Sequence, residues 1–499
     1  MFLASALVAV CSVALPVAHA AGPPDDDDEA GSVTIYEFAD DFATGATMSA
    51  TPGGAQDVAF FRDRVRSGEV PHPSVFTPEG LFSEHHLPAA KGRQCRALLC
   101  PTSEATDARL LAHPDVRFLG QLGFATNIDA EKFERAPLDL VAVVDRSGSM
   151  SGVLSLVRQS LLEVVDQLGP NDRISIVAYG DRAQVLLRPM PVDPSHRQRI
   201  VAAIRQLESG GSTAMEDGIR KGLQVARRNQ LRGRTSRIML FTDERPNVGV
   251  TDAHSFMGLA RAGSKDGIGM TTVGVGVQFG AELATQISSV RGGNLFFFPD
   301  SSAMRAKFEA EFDTMVTELA HDMRLVVAPA AGMKVTGIYG IPGDKLKWTN
   351  NGAIEVEVET LFVSRKAGAI YFSLAPNGNP ALPRAKFGPN ATIATVQVEF
   401  TPVGAARRST EVDVKRVAPR RASAGLARGL LLVDEATALR EATRRHHEAN
   451  DQEGAYQLVH ALAGRFRRLR DSDMQDERAL VLGLEQTLAV LSGHAGESG

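Results

Sequence analysis

The stretch DLVAVVDRSGSMSG, residues 139–152, decides how the rest of the chain is read. DLVAVV is an apolar run without polar alternation, which suits a central parallel strand covered on both faces better than an edge strand. The run stops at Asp145 and gives way to hydroxyls at Ser147 and Ser149. In an open parallel sheet, ligand groups gather in the loops at the carboxyl ends of the strands. A covered strand ending in an acid and alternate serines therefore marks a candidate site.

Working outward, strand and helix patterns alternate over residues 136–322. The segment 152–168 has apolar residues recurring at threes and fours, as do 194–207 and 213–228, and each predicts a helix. RISIVAY (173–179), AQVLL (183–187), SRIMLFTD (236–243), GMTTVGVGV (269–277) and NLFFF (294–298) read as strands, with a closing helix over 302–321. This predicts a central α/β, doubly wound, Rossmann-like domain with a mainly parallel sheet. From 323 to 418 short alternating strands with turn signals at Asn351-Gly352 and Asn377-Gly378 predict a small β-sandwich-like domain. Residues 419–499 carry three helical segments and predict a helical C-terminal region. Before the central domain, 36–135 reads as a mixed α/β region, with a helix starting at AFFRDRVR (59–66) and strand patterning over 115–127.

Residues 1–20 form an apolar segment ending in AHA, which predicts a secretory signal cleaved after Ala20, although no Lys or Arg precedes the run. An uncleaved anchor, or lipidation at Cys11, are the alternatives, and membrane attachment is expected only through one of them. Residues 21–35 hold the acidic run DDDDE and read as a flexible linker. Export leaves Cys95 and Cys100 as an even pair able to close a small disulfide, against the alternative of two buried thiols. The chain has 499 residues, 43% hydrophobic and 23% charged, and a formal net charge of -5, so nucleic acid is not an expected partner.

Three strand-end loops carry oxygen ligands: Asp145, Ser147 and Ser149 in the first, Thr213 after Gly210-Gly211 in the second, and Asp243 in the third. Hydroxyls and carboxylates without histidine or cysteine suit Mg²⁺, with Mn²⁺ or Ca²⁺ as alternatives, and argue against zinc or copper. Two carboxylates balance a divalent cation, and neutral hydroxyls leave it electrophilic toward an incoming acid group. DxSxS alone is also explained as a helix-capping turn. Arg146, between the ligand positions, reads as a surface residue that could meet an acidic partner.

DRSGSM at 145–150, Thr213 after GGS and Asp243 in LFTDERPNVG stand in the order and spacing of the metal-ion-dependent adhesion site of von Willebrand factor type A domains, which this region resembles. Glu244-Arg245 departs from the glycine frequent after that aspartate. FRDRVRSGEVPHPSVFTPEGLF (61–82) is similar to the segment preceding the domain in exported bacterial type A domain proteins. The resemblance implies a periplasmic or extracellular, non-enzymatic protein that binds a partner's Asp or Glu through the cation. In integrin-like relatives it also implies a last helix that shifts when ligand engages. The alternatives are a scaffold whose metal only stabilises the fold, and a hydrolase. The latter is disfavoured because the G-x-S-x-G elbow is absent and no histidine lies in the ligand-bearing loops. His85-His86 and His446-His447 read as non-ligands, and the acids of the helical tail as surface charges.

Overall fold

The computed structural model describes residues 47–52, 58–76, 78–88, 95–243, 255–275, 286, 290–298, 301–341, 346–378 and 387–494. The chain divides into Met1–Ile35 and Tyr36–Gly499, and all described residues belong to the second unit. The expected signal, the acidic linker and Glu244-Arg245 lie outside the described residues.

Three strands precede the central domain: β1 (Thr47–Pro52), β2 (Cys100–Asp107) and β3 (Phe118–Asp129). The domain itself contains β4 (Leu138–Asp145), β5 (Arg173–Tyr179), β6 (Ala183–Pro191), β7 (Thr235–Thr242), β8 (Ile268–Val275) and β9 (Gly293–Phe298), in sheet order β6-β5-β4-β7-β8-β9. All neighbours are parallel except β6, which turns back antiparallel on β5 through Gly180-Asp181. β4 is central and buried along its whole length, as its unbroken apolar run requires.

Helices α1 (Ala59–Arg66) and α2 (Pro78–Ser83) lie before the domain. Within it, α3 (Leu154–Gln167) and α4 (Pro194–Arg205) cover one face of the sheet, while α5 (Met215–Asn229) and α6 (Phe256–Lys265) cover the other. α5 buries Gly218, Ile219, Gly222 and Leu223. A methyl group at Gly218 would meet the Tyr179 ring at 2.3 Å, and one at Gly222 would meet Val143 at 2.6 Å, so these glycines let α5 lie close on the sheet. Helix α7 (Ser301–Met315) ends earlier than the expected 302–321. Alternating burial from Glu318 onward makes that segment a strand, and His321 lies buried within it.

The remaining strands are β10 (Glu318–Pro329), β11 (Met333–Tyr339), β12 (Leu346–Trp348), β13 (Ile354–Ser364), β14 (Ala369–Pro376), β15 (Thr392–Pro402) and β16 (Arg408–Lys415). They share one antiparallel ten-stranded sheet with β1, β2 and β3, so the strands of the 36–135 and 323–418 segments build one structure. The central domain is an insertion between β3 and β10. The sheet returns on itself: Ala105 of β2 bridges Arg416, and Ser103 Oγ donates to Asp413 O at 2.9 Å. Cys95 and Cys100, at the start of β2, are joined by a disulfide.

Helices α8 (Ala424–His447), α9 (Gln452–Phe466) and α10 (Gln475–Ser492) form a core with α1, α2 and the outer face of the ten-stranded sheet. Several of their acids are not surface charges: Asp434, Glu435, Glu477 and Glu485 are all buried. Arg62 donates to Glu84 and Glu477, and His85 Nε2 lies 2.7 Å from Glu477, so N-terminal cations compensate buried C-terminal acids. His447 likewise bonds Val70 O at 2.9 Å and His446 bonds Gln452 at 2.6 Å, so that pair is tied into the helical core's rim. Among the described residues no helix is long and apolar enough to cross a membrane.

Candidate metal centre

The site lies at the carboxyl ends of β4 and β7, where their register carries Asp145 and Asp243 to the same edge. Asp145 is fully buried. Its Oδ1 accepts from the Ser147 N–H at 2.8 Å, and its Oδ2 accepts from Tyr179 OH at 3.1 Å and Thr242 Oγ1 at 2.9 Å. The carboxylate therefore sits behind the loop and holds its turn. Gly148–Gly152 forms a short 3-10 helix leading into α3.

Ser147 Oγ lies 3.0 Å from Ser149 Oγ, and Ser149 Oγ donates to Asp243 Oδ1 at 3.1 Å. The loop bearing Thr213 is stitched to them by backbone: Gly210 N donates to Arg146 O at 2.7 Å, and Gly148 N to Gly211 O at 3.0 Å. Gly211 takes φ +87°, and a methyl group there would meet Asp181 Oδ2 at 2.7 Å, so both its backbone and its lack of side chain are used. Asp181 accepts from Ser212 N and Oγ, both at 2.8 Å, and these bonds hold its carboxyl below the usual range. Ala214 N donates to Gly180 O at 2.9 Å. Half-buried Thr213 is thus clamped between two anchored neighbours.

The donor set fits a hard cation. Ser147 Oγ, Ser149 Oγ and Asp243 Oδ1 form a hydrogen-bonded row with separations of 3.0 and 3.1 Å, and oxygens of this kind, without nitrogen or sulfur, are the donors that Mg²⁺, Mn²⁺ or Ca²⁺ takes. Ser147, Ser149 and Asp243 would hold such a cation, with Thr213 on the adjoining loop, while buried Asp145 orients the serine loop.

Sequence reasoning missed Tyr179, Thr242 and Asp181, which hydrogen-bond Asp145 and Ser212. The signal was present for two of them: each is a polar residue closing an otherwise apolar strand, RISIVAY and RIMLFT. Arg146 is more enclosed than a surface residue, since its stem packs at 3.6 Å from the position a Gly180 side chain would take.

Residues 139–310 match the von Willebrand factor type A domain. The chain is 30% identical over 199 residues to the uncharacterized protein YfbK of Escherichia coli, covering 39% of this chain and 34% of that protein. It is 29% identical over 243 residues to the uncharacterized protein sll0103 of Synechocystis sp., covering 47% of this chain and 56% of that one. The matches thus span about a third to a half of these relatives' lengths. Among solved structures, a von Willebrand factor type A protein from Catenulispora acidiphila aligns over 81% of this chain and 89% of its own, with TM-score 0.43 and 16% identity.

Proposed function

We propose, for a chain carrying a von Willebrand factor type A domain over residues 139–310, a divalent-cation-dependent protein-binding role in the cell envelope, without catalysis. Domains of this family are often involved in protein–protein interaction or adhesion. The observation that carries the reading is the row of oxygens Ser147–Ser149–Asp243, 3.0 and 3.1 Å apart, at the carboxyl ends of β4 and β7.

A bound Mg²⁺ would present a Lewis-acid position to a partner's Asp or Glu. The serine hydroxyls and Thr213 supply neutral donors and leave that position its charge. Asp145 keeps the serines turned toward the site through the Ser147 N–H bond. The Cys95–Cys100 disulfide supports an oxidising, exported setting.

A second reading, a scaffold whose metal only stabilises the fold, is favoured by one observation: Asp145 is fully buried and takes three protein donors, so the site's acid is part of the core. Calorimetry of the whole chain with Mg²⁺, Mn²⁺ and Ca²⁺, comparing Ser149→Ala and Asp243→Asn, separates the two when joined to envelope pull-downs with Mg²⁺ or EDTA. The adhesion reading expects metal uptake weakened about 10-fold or more in both variants, and capture lost with EDTA. Uptake with EDTA-insensitive capture selects the scaffold. No uptake removes both metal readings.

A further inference from the structure

The outward face of α5, the helix that follows Thr213 in the chain, lines a basic groove. Residues 217, 220, 221, 224, 227 and 228 recur at helical spacing opposite the buried stripe of Gly218, Ile219, Gly222 and Leu223. With Arg182 and Ala183 at the start of β6 they enclose an open groove of about 680 Å³. Among the described residues five cations, Arg182, Arg220, Lys221, Arg227 and Arg228, line it with the carboxylate Asp217. Asp266, beyond the rim, pairs with Arg227 at 2.6 Å and Arg220 is engaged as well, which leaves Arg182, Lys221 and Arg228 facing Asp217. This surplus stands on a chain of formal net charge -5, so it is not a reflection of overall composition.

The groove and the site are neighbours along the chain. Asp181, which holds Ser212 beside Thr213, is the immediate neighbour of Arg182, and α5 starts two residues after Thr213. From Asp217 to Arg228 the helix rises about 16 Å, the length of about five extended residues. The opposite wall starts at β6, the end strand of its sheet, which pairs with β5 on one side. An edge strand suits an extended peptide main chain.

We propose that the α5 groove is an interaction surface for an extended acidic polypeptide segment, whose leading carboxylate occupies the Ser147–Ser149–Asp243 site while further Asp or Glu side chains lie along Arg182, Lys221 and Arg228. This rests on the metal-site reading for the leading carboxylate and on charge complementarity for the rest. A long uniform polyanion fits less well, because the net negative chain repels it beyond this short groove.

The test is fluorescence anisotropy of a labelled hexaglutamate peptide on the full chain in excess MgCl₂, with hexaglutamine, heparin and a single-stranded oligonucleotide as comparisons. The double variant Lys221→Glu/Arg228→Glu is expected to bind hexaglutamate about 10-fold more weakly, with its calorimetric Mg²⁺ uptake equal to that of the parent chain. The proposal is overturned if the double variant binds like the parent, if hexaglutamine binds as well as hexaglutamate, or if heparin or the oligonucleotide matches the peptide. EDTA separates the two levels. Binding lost in EDTA but indifferent to the charge reversal keeps the metal site and sinks the groove; binding weakened by reversal but indifferent to EDTA keeps the groove and sinks the metal site.

Discussion

Replacing Asp145 by alanine and by asparagine gives very different outcomes if the carboxylate both braces the loop and serves a cation. Alanine removes the acceptor for the Ser147 N–H, Tyr179 OH and Thr242 Oγ1 at a position with no solvent exposure. The backbone N–H cannot turn away and loses about 1–3 kcal/mol; the two hydroxyls can rotate and lose about 1 kcal/mol each. Asp145→Ala therefore costs about 3–5 kcal/mol before any metal is considered. Asparagine keeps an acceptor for the N–H, and its amide can donate to the hydroxyls, so Asp145→Asn costs at most about 1 kcal/mol in EDTA. With Mg²⁺ at about 100 times its dissociation constant the parent chain gains about 2.7 kcal/mol, a gain the asparagine variant loses with its charge. Urea unfolding of the three proteins in EDTA and in Mg²⁺, followed by near-ultraviolet circular dichroism, reads all four quantities. Equal losses for alanine and asparagine in EDTA would refute the bracing argument. An equal Mg²⁺ gain in parent and Asp145→Asn would refute the cation argument.

Two further outcomes follow from buried charge elsewhere. Arg237 is fully buried where the inserted domain meets the ten-stranded sheet, donating to Glu318 at 2.6 Å, Thr271 Oγ1 at 2.9 Å and Gly292 O at 3.0 Å. Arg237→Met leaves Glu318 uncompensated and is expected to cost about 3–5 kcal/mol in urea unfolding, most of it recovered in Arg237→Met/Glu318→Leu; a double variant no more stable than the single one contradicts this. Burial alone would lower the His85 pKa, but hydrogen bonds and the charges of Asp473 and Glu477 outweigh it and raise the imidazole to about 9. Because the folded value exceeds the ordinary 6.5, the stabilisation is complete below about pH 6.5 and is lost as pH rises through about 9. His85→Gln should flatten that alkaline decline in a stability–pH profile, and an unchanged decline rejects the assignment.

The sequence by itself determined the elements whose residues see only their own neighbours. The β4 run, the helical period of α3 and α5, and the strand-end acids at 145 and 243 follow from local periodicity and from the placement of polar residues at apolar strand ends. Those features also bring Asp145 and Asp243 to one edge, because a doubly wound sheet gathers the carboxyl ends of its parallel strands there, whereas Thr213 stands on a loop between two helices. Tertiary structure decided what depends on distant partners. β1 and β3 pair with β13 and β14 across the whole inserted domain, and nothing in TMSATP or FLGQLGFATNID specifies a partner more than two hundred residues away. The same holds for charge. Glu477 lies on a helix whose sequence looks solvated, and it is buried because α1 and the loop after α2 bring Arg62 and His85 onto it. Periodicity assigns a residue to a face of its own element; only packing decides whether that face meets water or another charge.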